Sequence, residues 1–97
     1  MSDGQENRVQ IQVDEETSHG IYANFAMINH SETEFLLDFV FLQPHVAKAK
    51  VRARIISSPK HAKRFAKALL ENIAKYEARF GPIDDGAPGP TKVDVVH

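Results

Sequence analysis

The stretch that decides the fold is SPKHAKRFAKALLENIAKYEARFGP, residues 58–82. Ser58 offers a side-chain oxygen that caps free N–H groups at the start of a helix. Pro59 suits the first helical position because the N–H that it lacks would have no partner there. Gly81, followed directly by a proline, is typical of a helix end, since glycine accepts the left-handed conformation and proline cannot continue the helix. These signals predict one helix from Pro59 to Phe80.

Apolar residues recur along this predicted helix at steps of three and four residues. They are Ala62, Phe65, Ala66, Leu69, Leu70, Ile73, Tyr76 and Phe80. Residues at this spacing lie on one face, so the helix is amphipathic and needs another layer to cover its apolar stripe. A sheet formed by the preceding residues is the expected layer.

Four runs before the helix carry strand signals, either strict apolar and polar alternation or dense β-branched and aromatic residues. They are Arg8–Val13, Ile21–Asn29, Glu34–Gln43 and Lys48–Ile56. Polar, turn-rich connectors separate them, and the second and third runs are close enough to form a hairpin. The sequence predicts an α+β fold of order β-β-β-β-α, with an antiparallel sheet of about four strands packed on one long C-terminal amphipathic helix.

Length and composition favour a single small domain. The chain has 97 residues, which fits one hydrophobic core, and we place the domain at residues 8–82 between a disordered tail at 1–7 and a flexible tail at 83–97. A net charge of −1 gives no global bias toward nucleic acid or anionic membranes. The polar N-terminus and the lack of a long apolar run predict a cytoplasmic protein with no membrane partner.

The predicted strands are apolar on both sides, which one helix cannot cover. In the third run, Phe35 and Phe39 belong to the side that should meet the helix, while the other side is also mostly apolar. The simplest remedy is a homodimer, and the alternative is a curled sheet that buries both sides within one subunit. The expected dimer-interface residues are Tyr22, Asn24, Ile28, Leu36, Asp38, Val40 and Leu42.

No catalytic set is visible in the sequence. The chain has no cysteine, and its serines occupy predicted turns and caps, where structural use is usual. The five histidines lack the close spacing of a zinc site, so we expect no metal and no cofactor. Asp38 stands among apolar neighbours, and pairing with a basic residue across the sheet or the dimer interface explains it better than catalysis does.

A row of basic residues alternates along the fourth run, with a second basic group in the first half of the helix. With Tyr22 as a stacking residue, the candidate nucleic-acid-binding set is Lys48, Lys50, Arg52, Arg54, Lys60, Lys63 and Arg64. Side chains about 7 Å apart on one strand face match the spacing of phosphates in an extended single strand. The alternative is that these groups are solvated, or that the strand row pairs with acids such as Asp38 and Glu34.

Several short motifs resemble one known family. They are Gly20-Ile-Tyr-Ala-Asn24, His30-Ser31, Glu34-Phe35, Asp38-Phe-Val40, Lys48-Ala-Lys50, Ser58-Pro-Lys-His-Ala-Lys63 and Asn72-Ile-Ala-Lys-Tyr-Glu77. Together they are similar to a family of small bacterial proteins, the domain of unknown function 3467, over about Arg8 to Ile83. The resemblance implies a bacterial or archaeal origin and a compact domain, but no activity, so it assigns no functional residue.

Three functional hypotheses follow from the sequence. The first is a non-enzymatic, homodimeric protein-binding or assembly module with an unidentified protein partner. The second is single-stranded nucleic-acid binding through the basic strand face. The third is a small-ligand carrier or an enzyme that uses Asp38 with a histidine.

Overall fold

A three-stranded sheet and a long C-terminal helix make up the fold. The structure is a computed structural model that describes residues 8–86. Its elements are α1 (Glu15–Ser18), β1 (Phe25–His30), β2 (Phe35–Val40), β3 (Val51–Ser57) and α2 (Pro59–Phe80). The α+β prediction is confirmed. The predicted tail at 1–7, and residues 87–97 of the predicted tail at 83–97, lie outside the described residues.

The sheet is antiparallel, with strand order β1-β2-β3 and β2 at its centre. Asp38 of β2 lies opposite Met27 of β1 and opposite Arg54 of β3. Because cross-strand partners share a face, these three side chains lie on one side, which we call the Asp38 face. Leu37 and Phe39 lie on the other side, which we call the helix face because α2 begins over it.

The prediction of a fourth strand at Arg8–Val13 was wrong for the described part of the chain, where this segment has neither helix nor strand. Its alternation indicates one apolar side, but a strand also needs a neighbouring strand for its backbone hydrogen bonds. No strand formed by residues 8–86 pairs with it. Alternation alone therefore did not establish the strand.

The three remaining strands were predicted in the right places but too long. The third predicted run, Glu34–Gln43, ends as β2 at Val40. The fourth, Lys48–Ile56, begins as β3 only at Val51, and a register shift between Phe39 and Val40 leaves Arg52 without a Cα partner. An extra residue of this kind is a β-bulge, which the pattern of one strand does not reveal.

Helix α2 has the predicted bounds and start. The Ser58 side-chain oxygen accepts a hydrogen bond from the backbone N–H of His61 at 3.3 Å, and Pro59 occupies the first turn. At the other end, Gly81 has φ 99° and ψ 169°, and its N–H donates to the Glu77 carbonyl. The positive φ fits the glycine prediction, although ψ is extended rather than left-handed helical.

The connector between the N-terminal segment and β1 contains the short helix α1, where the sequence predicts a polar turn. The Asp14 side chain accepts a hydrogen bond from the Thr17 N–H at 2.7 Å and caps α1. Hydrogen bonds from Thr17 lower the pKa of Asp14. This local capping explains why a polar stretch without an apolar face forms a helical turn.

The buried core of a single chain is small and centred on β2. Leu37 is 8% exposed, Val40 is 4% exposed and Asp38 is 3% exposed, and these are the buried residues of the described part. Helix α2 contributes no buried residue, although it is the longest element. One chain therefore covers the middle of its sheet but leaves its helix largely in solvent.

Candidate interaction surface

The centre of the sheet contains an ion pair whose carboxylate is buried. The guanidinium of Arg54 donates to both carboxylate oxygens of Asp38, from Nε at 2.7 Å and from the terminal nitrogen at 2.9 Å. The Asp38 side chain is 4% exposed, whereas that of Arg54 is 48% exposed. The two residues are cross-strand partners, so strand register aligns the guanidinium with the carboxylate. The sequence-based expectation that Asp38 pairs with a basic residue agrees with this geometry.

This pairing sets the protonation of Asp38. The hydrogen bonds from Arg54 lower the pKa of Asp38 below its ordinary value of 3.8, against a smaller opposing effect of burial. The same contact raises the pKa of Arg54. Asp38 is therefore a carboxylate at neutral pH with both oxygens engaged, which is the state of a structural ion pair and not of a general acid.

Asn24 extends the pairing of β1 and β2 beyond their last strand residues. Its side-chain nitrogen donates to the Leu42 carbonyl at 2.9 Å, and its side-chain oxygen accepts from the Leu42 N–H at 2.7 Å. The Asn24 backbone N–H also donates to the Val40 carbonyl at 3.0 Å. Asn24 and Leu42, two expected interface residues, thus close the sheet end within one chain.

The expected interface residues do not share one face. Ile28 lies opposite Leu37, so it belongs to the helix face, whereas Asp38 and Val40 belong to the Asp38 face. Both of these residues are buried in a single chain and offer no free surface. Leu36 has the same parity as Asp38, and Tyr22 makes an edge-to-face contact with Phe41 at a centroid distance of 5.7 Å.

The first turns of α2 stand over the helix face around an open cavity of about 310 Å³. Its lining residues are Leu37, Phe39, Ile55, Ser57, His61, Ala62 and Phe65. Only Ser57 and His61 among them are polar. The cavity therefore shows that the apolar surfaces of α2 and of the helix face are not closely packed against each other.

Five large side chains on α2, which we call the α2 stripe, are between 48% and 67% exposed in a single chain. They are Phe65, Leu69, Leu70, Tyr76 and Phe80. Tyr76 and Phe80 contact each other at a centroid distance of 5.0 Å, and the Arg79 guanidinium lies 5.2 Å from the Phe80 ring centre. The stripe is thus a continuous apolar surface, partly ordered by contacts within the helix.

The basic residues do not form one even row. Lys48 and Lys50 precede β3, the bulge falls at Arg52, and Arg54 is engaged by Asp38. The remaining basic residues of the candidate set are exposed on α2. They are Lys60, Lys63 and Arg64. The structure thus separates the strand part of the set from the helix part.

Two of the histidines, His30 and His61, have contacts that do not involve Asp38. His61 lines the cavity on the opposite side of the sheet, and His30 stacks on Phe35 at a centroid distance of 5.3 Å. Residues 8–86 contain no cluster of three or more histidine, aspartate or glutamate side chains with the geometry to hold a metal ion. Within this range, the hydrogen bonds to the Asp38 carboxylate come from Arg54 and none comes from a histidine.

Sequence reasoning missed the cavity and the register of the two faces. Both depend on which residues of different strands lie opposite each other, and a single sequence gives no direct signal for that. The apolar spacing of α2 predicts the stripe. The sequence also predicts that the sheet covers this stripe, whereas the structure leaves it largely exposed.

The comparisons with known proteins give a family and no activity. No helix formed by residues 8–86 is both long enough and apolar enough to cross a membrane. Neither the curated proteins nor the solved structures contain a match to the chain. One family model, described as a protein of unknown function (DUF3467), matches residues 1–85. The chain therefore belongs to the DUF3467 family.

Proposed function

We propose that this chain is a non-enzymatic assembly module that works as a homodimer, in which the α2 stripes of two copies cover each other. The observation that carries the proposal is the state of α2, a 22-residue helix with an apolar stripe and no buried residue. A soluble chain rarely leaves a contiguous apolar surface of this kind uncovered unless it is an interface.

The length of α2 supports this arrangement. At 1.5 Å per residue, a helix of 22 residues spans about 33 Å, while a strand of 6 residues spans about 20 Å. The cavity is lined by side chains from the first turns of the helix, His61 to Phe65, and the stripe continues to Phe80. The sheet of one chain is therefore too short to cover the whole stripe.

The charges of α2 favour an antiparallel pair of helices. The first half is basic, with Lys60, Lys63, Arg64 and Lys67, whereas the second half balances Glu71 and Glu77 against Lys75 and Arg79. A parallel pair would place two basic halves side by side. An antiparallel pair separates them and also opposes the two helix dipoles. A two-fold axis generates such a pair from one self-complementary surface.

The role that we infer is assembly with a second copy and, through the assembled surface, binding of another protein in the cytoplasm of a bacterium. The uncovered apolar area supports an interaction role, and the ion pair at Asp38 supports a structural rather than a chemical use of the most unusual carboxylate. Identification of proteins that copurify with the chain from its own cells tests the partner.

The dimer is tested with two glutamate substitutions that add the same charge to the same helix. Leu69→Glu places the carboxylate in the α2 stripe, and Ala78→Glu places it at an exposed position whose neighbours one turn away are not stripe residues. We expect Leu69→Glu to shift the chain from dimer to monomer in size-exclusion chromatography with light scattering, while Ala78→Glu stays dimeric. Equal behaviour of both variants would reject the α2 interface.

Single-stranded nucleic-acid binding is a second candidate, supported by one observation. Lys60, Lys63, Arg64 and Lys67 are exposed, and the only ion pair in the described part of the chain joins Arg54 to Asp38. These helix charges are therefore available to phosphates. Their removal should weaken binding and also reduce its dependence on salt, because each phosphate contact releases counterions.

Lys63→Glu and Lys75→Glu form the matched pair for this test. Lys63 lies in the basic first half of α2 and Lys75 lies in the charge-balanced second half. With a labelled oligothymidylate as the probe, we expect Lys63→Glu to lower the binding affinity and to reduce the dependence of that affinity on salt concentration. We expect Lys75→Glu to change neither. Absence of salt-dependent binding by the unaltered chain, or equal losses in both variants, would eliminate this candidate.

A further inference from the structure

The segment 8–13 has the pattern of a strand, but no strand within residues 8–86 lies beside it. Val9, Ile11 and Val13 alternate with polar residues and are 80%, 86% and 61% exposed. The helix α1 and its cap at Asp14 follow the segment directly. The chain thus carries a segment with one apolar side that the sheet of residues 8–86 leaves unpaired.

The two edges of the sheet differ in how well they resist another strand. The edge strand β3 contains two arginines and a bulge, which are common protections against pairing with a further chain. The other edge strand, β1, reads Phe-Ala-Met-Ile-Asn-His, with no lysine, arginine, proline or register shift. The β1 edge is therefore the open one.

The helix face beside β1 is also uncovered. The cavity under α2 is lined by residues of β2, β3 and α2 and by none from β1. Ile28 of β1 lies on this face and is 61% exposed. A strand added to β1 with its apolar side on the helix face would place Val9, Ile11 and Val13 next to Ile28.

We propose that residues 8–13 of one copy pair as a fourth strand with β1 of the second copy, and that the exchange is reciprocal. This inference rests on the proposed homodimer and adds a second contact to it. Pairing of the segment with β1 of its own chain needs no second copy, yet this pairing is not formed among residues 8–86, where the neighbour of β1 is β2. Exchange within a two-fold dimer satisfies both open edges at once and closes the assembly.

Two aspartate substitutions in the segment separate strand pairing from general effects of charge. Ile11→Asp places a carboxylate on the apolar side, and Gln12→Asp places one on the polar side. Because each dimer would bury two copies of Ile11, we expect Ile11→Asp to weaken dimerisation by about a hundredfold or more in sedimentation equilibrium. We expect Gln12→Asp to change it by less than about threefold.

Nuclear Overhauser contacts in a mixture of differently isotope-labelled full-length copies identify the strand partner. Contacts between the methyl groups of Val9 or Ile11 in one copy and Ile28 in the other are the expected result. Contacts only within one copy, or none in a protein that is dimeric, would overturn the exchange.

The Leu69→Glu variant distinguishes failure of this inference from failure of the proposed dimer. If Leu69→Glu dissociates the dimer while Ile11→Asp does not weaken it, the α2 interface stands and the strand exchange is wrong. If the unaltered chain is monomeric at every concentration, both are wrong.

Discussion

Strand β2 and helix α2 differ in how much of their surface a single chain buries. β2 has neighbours on both sides and holds all the buried residues of the described part, including an aspartate whose two oxygens are satisfied by one arginine. α2 has well-formed ends and a 22-residue length, but each of its large apolar side chains is at least partly exposed.

The difference shows that local and tertiary stabilisation are separate in this molecule. The start and end of α2 follow from caps made by adjacent residues, which need no other layer. The stability of most protein helices, however, comes from packing of the apolar face, and a single chain supplies little of it here. Changes in β2 should therefore act on the single chain, and changes in the α2 stripe should act on the assembly.

The largest expected effect is the loss of a buried leucine from β2. Leu37→Ala removes a side chain that is 8% exposed and should lower the free energy of unfolding by about 3 kcal/mol at any protein concentration. Leu70→Ala, at a position that is 67% exposed, should cost below about 0.5 kcal/mol when the chain is monomeric and more when it is dimeric. Urea unfolding at low and high protein concentration measures both. If Leu70→Ala lost the same unfolding free energy at low and high protein concentration, the distinction between β2 and the α2 stripe would be wrong.

The second effect concerns the ion pair. Arg54→Met leaves the carboxylate of Asp38 buried without its cation, and this is more damaging than losing the pair as a whole. Arg52→Met is the control, because Arg52 is an exposed neighbour without a carboxylate partner in the described structure. We expect a clear fall in the urea midpoint for Arg54→Met only, with partial recovery when Asp38→Asn is added. Equal shifts of the urea midpoint in Arg54→Met and Arg52→Met would show that the ion pair with Asp38 has no special role.

The third effect tests the helix start alone. Ser58→Ala removes the oxygen that accepts the His61 N–H and should cost about 1 kcal/mol, whereas Ser58→Asp keeps an acceptor and should cost less. Thermal unfolding followed by circular dichroism at 222 nm reports the loss. If both substitutions destabilise equally, the side-chain cap does not stabilise α2.

The smallest expected effect is on the pH dependence of stability. Since the folded-state pKa of Asp38 lies below its ordinary value of 3.8, its contribution is complete above pH 3.8 and is lost as the pH falls through the lower folded-state value. Asp38→Asn should therefore flatten the fall in unfolding free energy on acidification in this range. Unfolding curves measured from neutral to acidic pH give the slope of unfolding free energy against pH for the unaltered chain and for Asp38→Asn. Equal slopes would contradict the depressed pKa of Asp38.

The same division explains what the sequence could predict. The bounds of α2 were predictable because Ser58, Pro59 and Gly81 act on adjacent backbone groups. The partner type of Asp38 was also predictable, since a carboxylate among apolar residues needs a cation. The register was not predictable, because it depends on pairing between distant residues, so the expected interface mixed Ile28 with residues of the opposite face. The strand prediction at 8–13 was wrong for a related reason, since alternation within one segment does not show which strand would pair with it.

The central claim is that a second copy covers the α2 stripe, and sedimentation equilibrium of the unaltered full-length chain over a wide concentration range tests it most directly. We predict a reversible transition to twice the mass of one chain, with a midpoint that Leu69→Glu moves to much higher concentration and Ala78→Glu leaves in place. If the protein has the mass of a single chain at every concentration, the stripe stays exposed to solvent and the claim is contradicted.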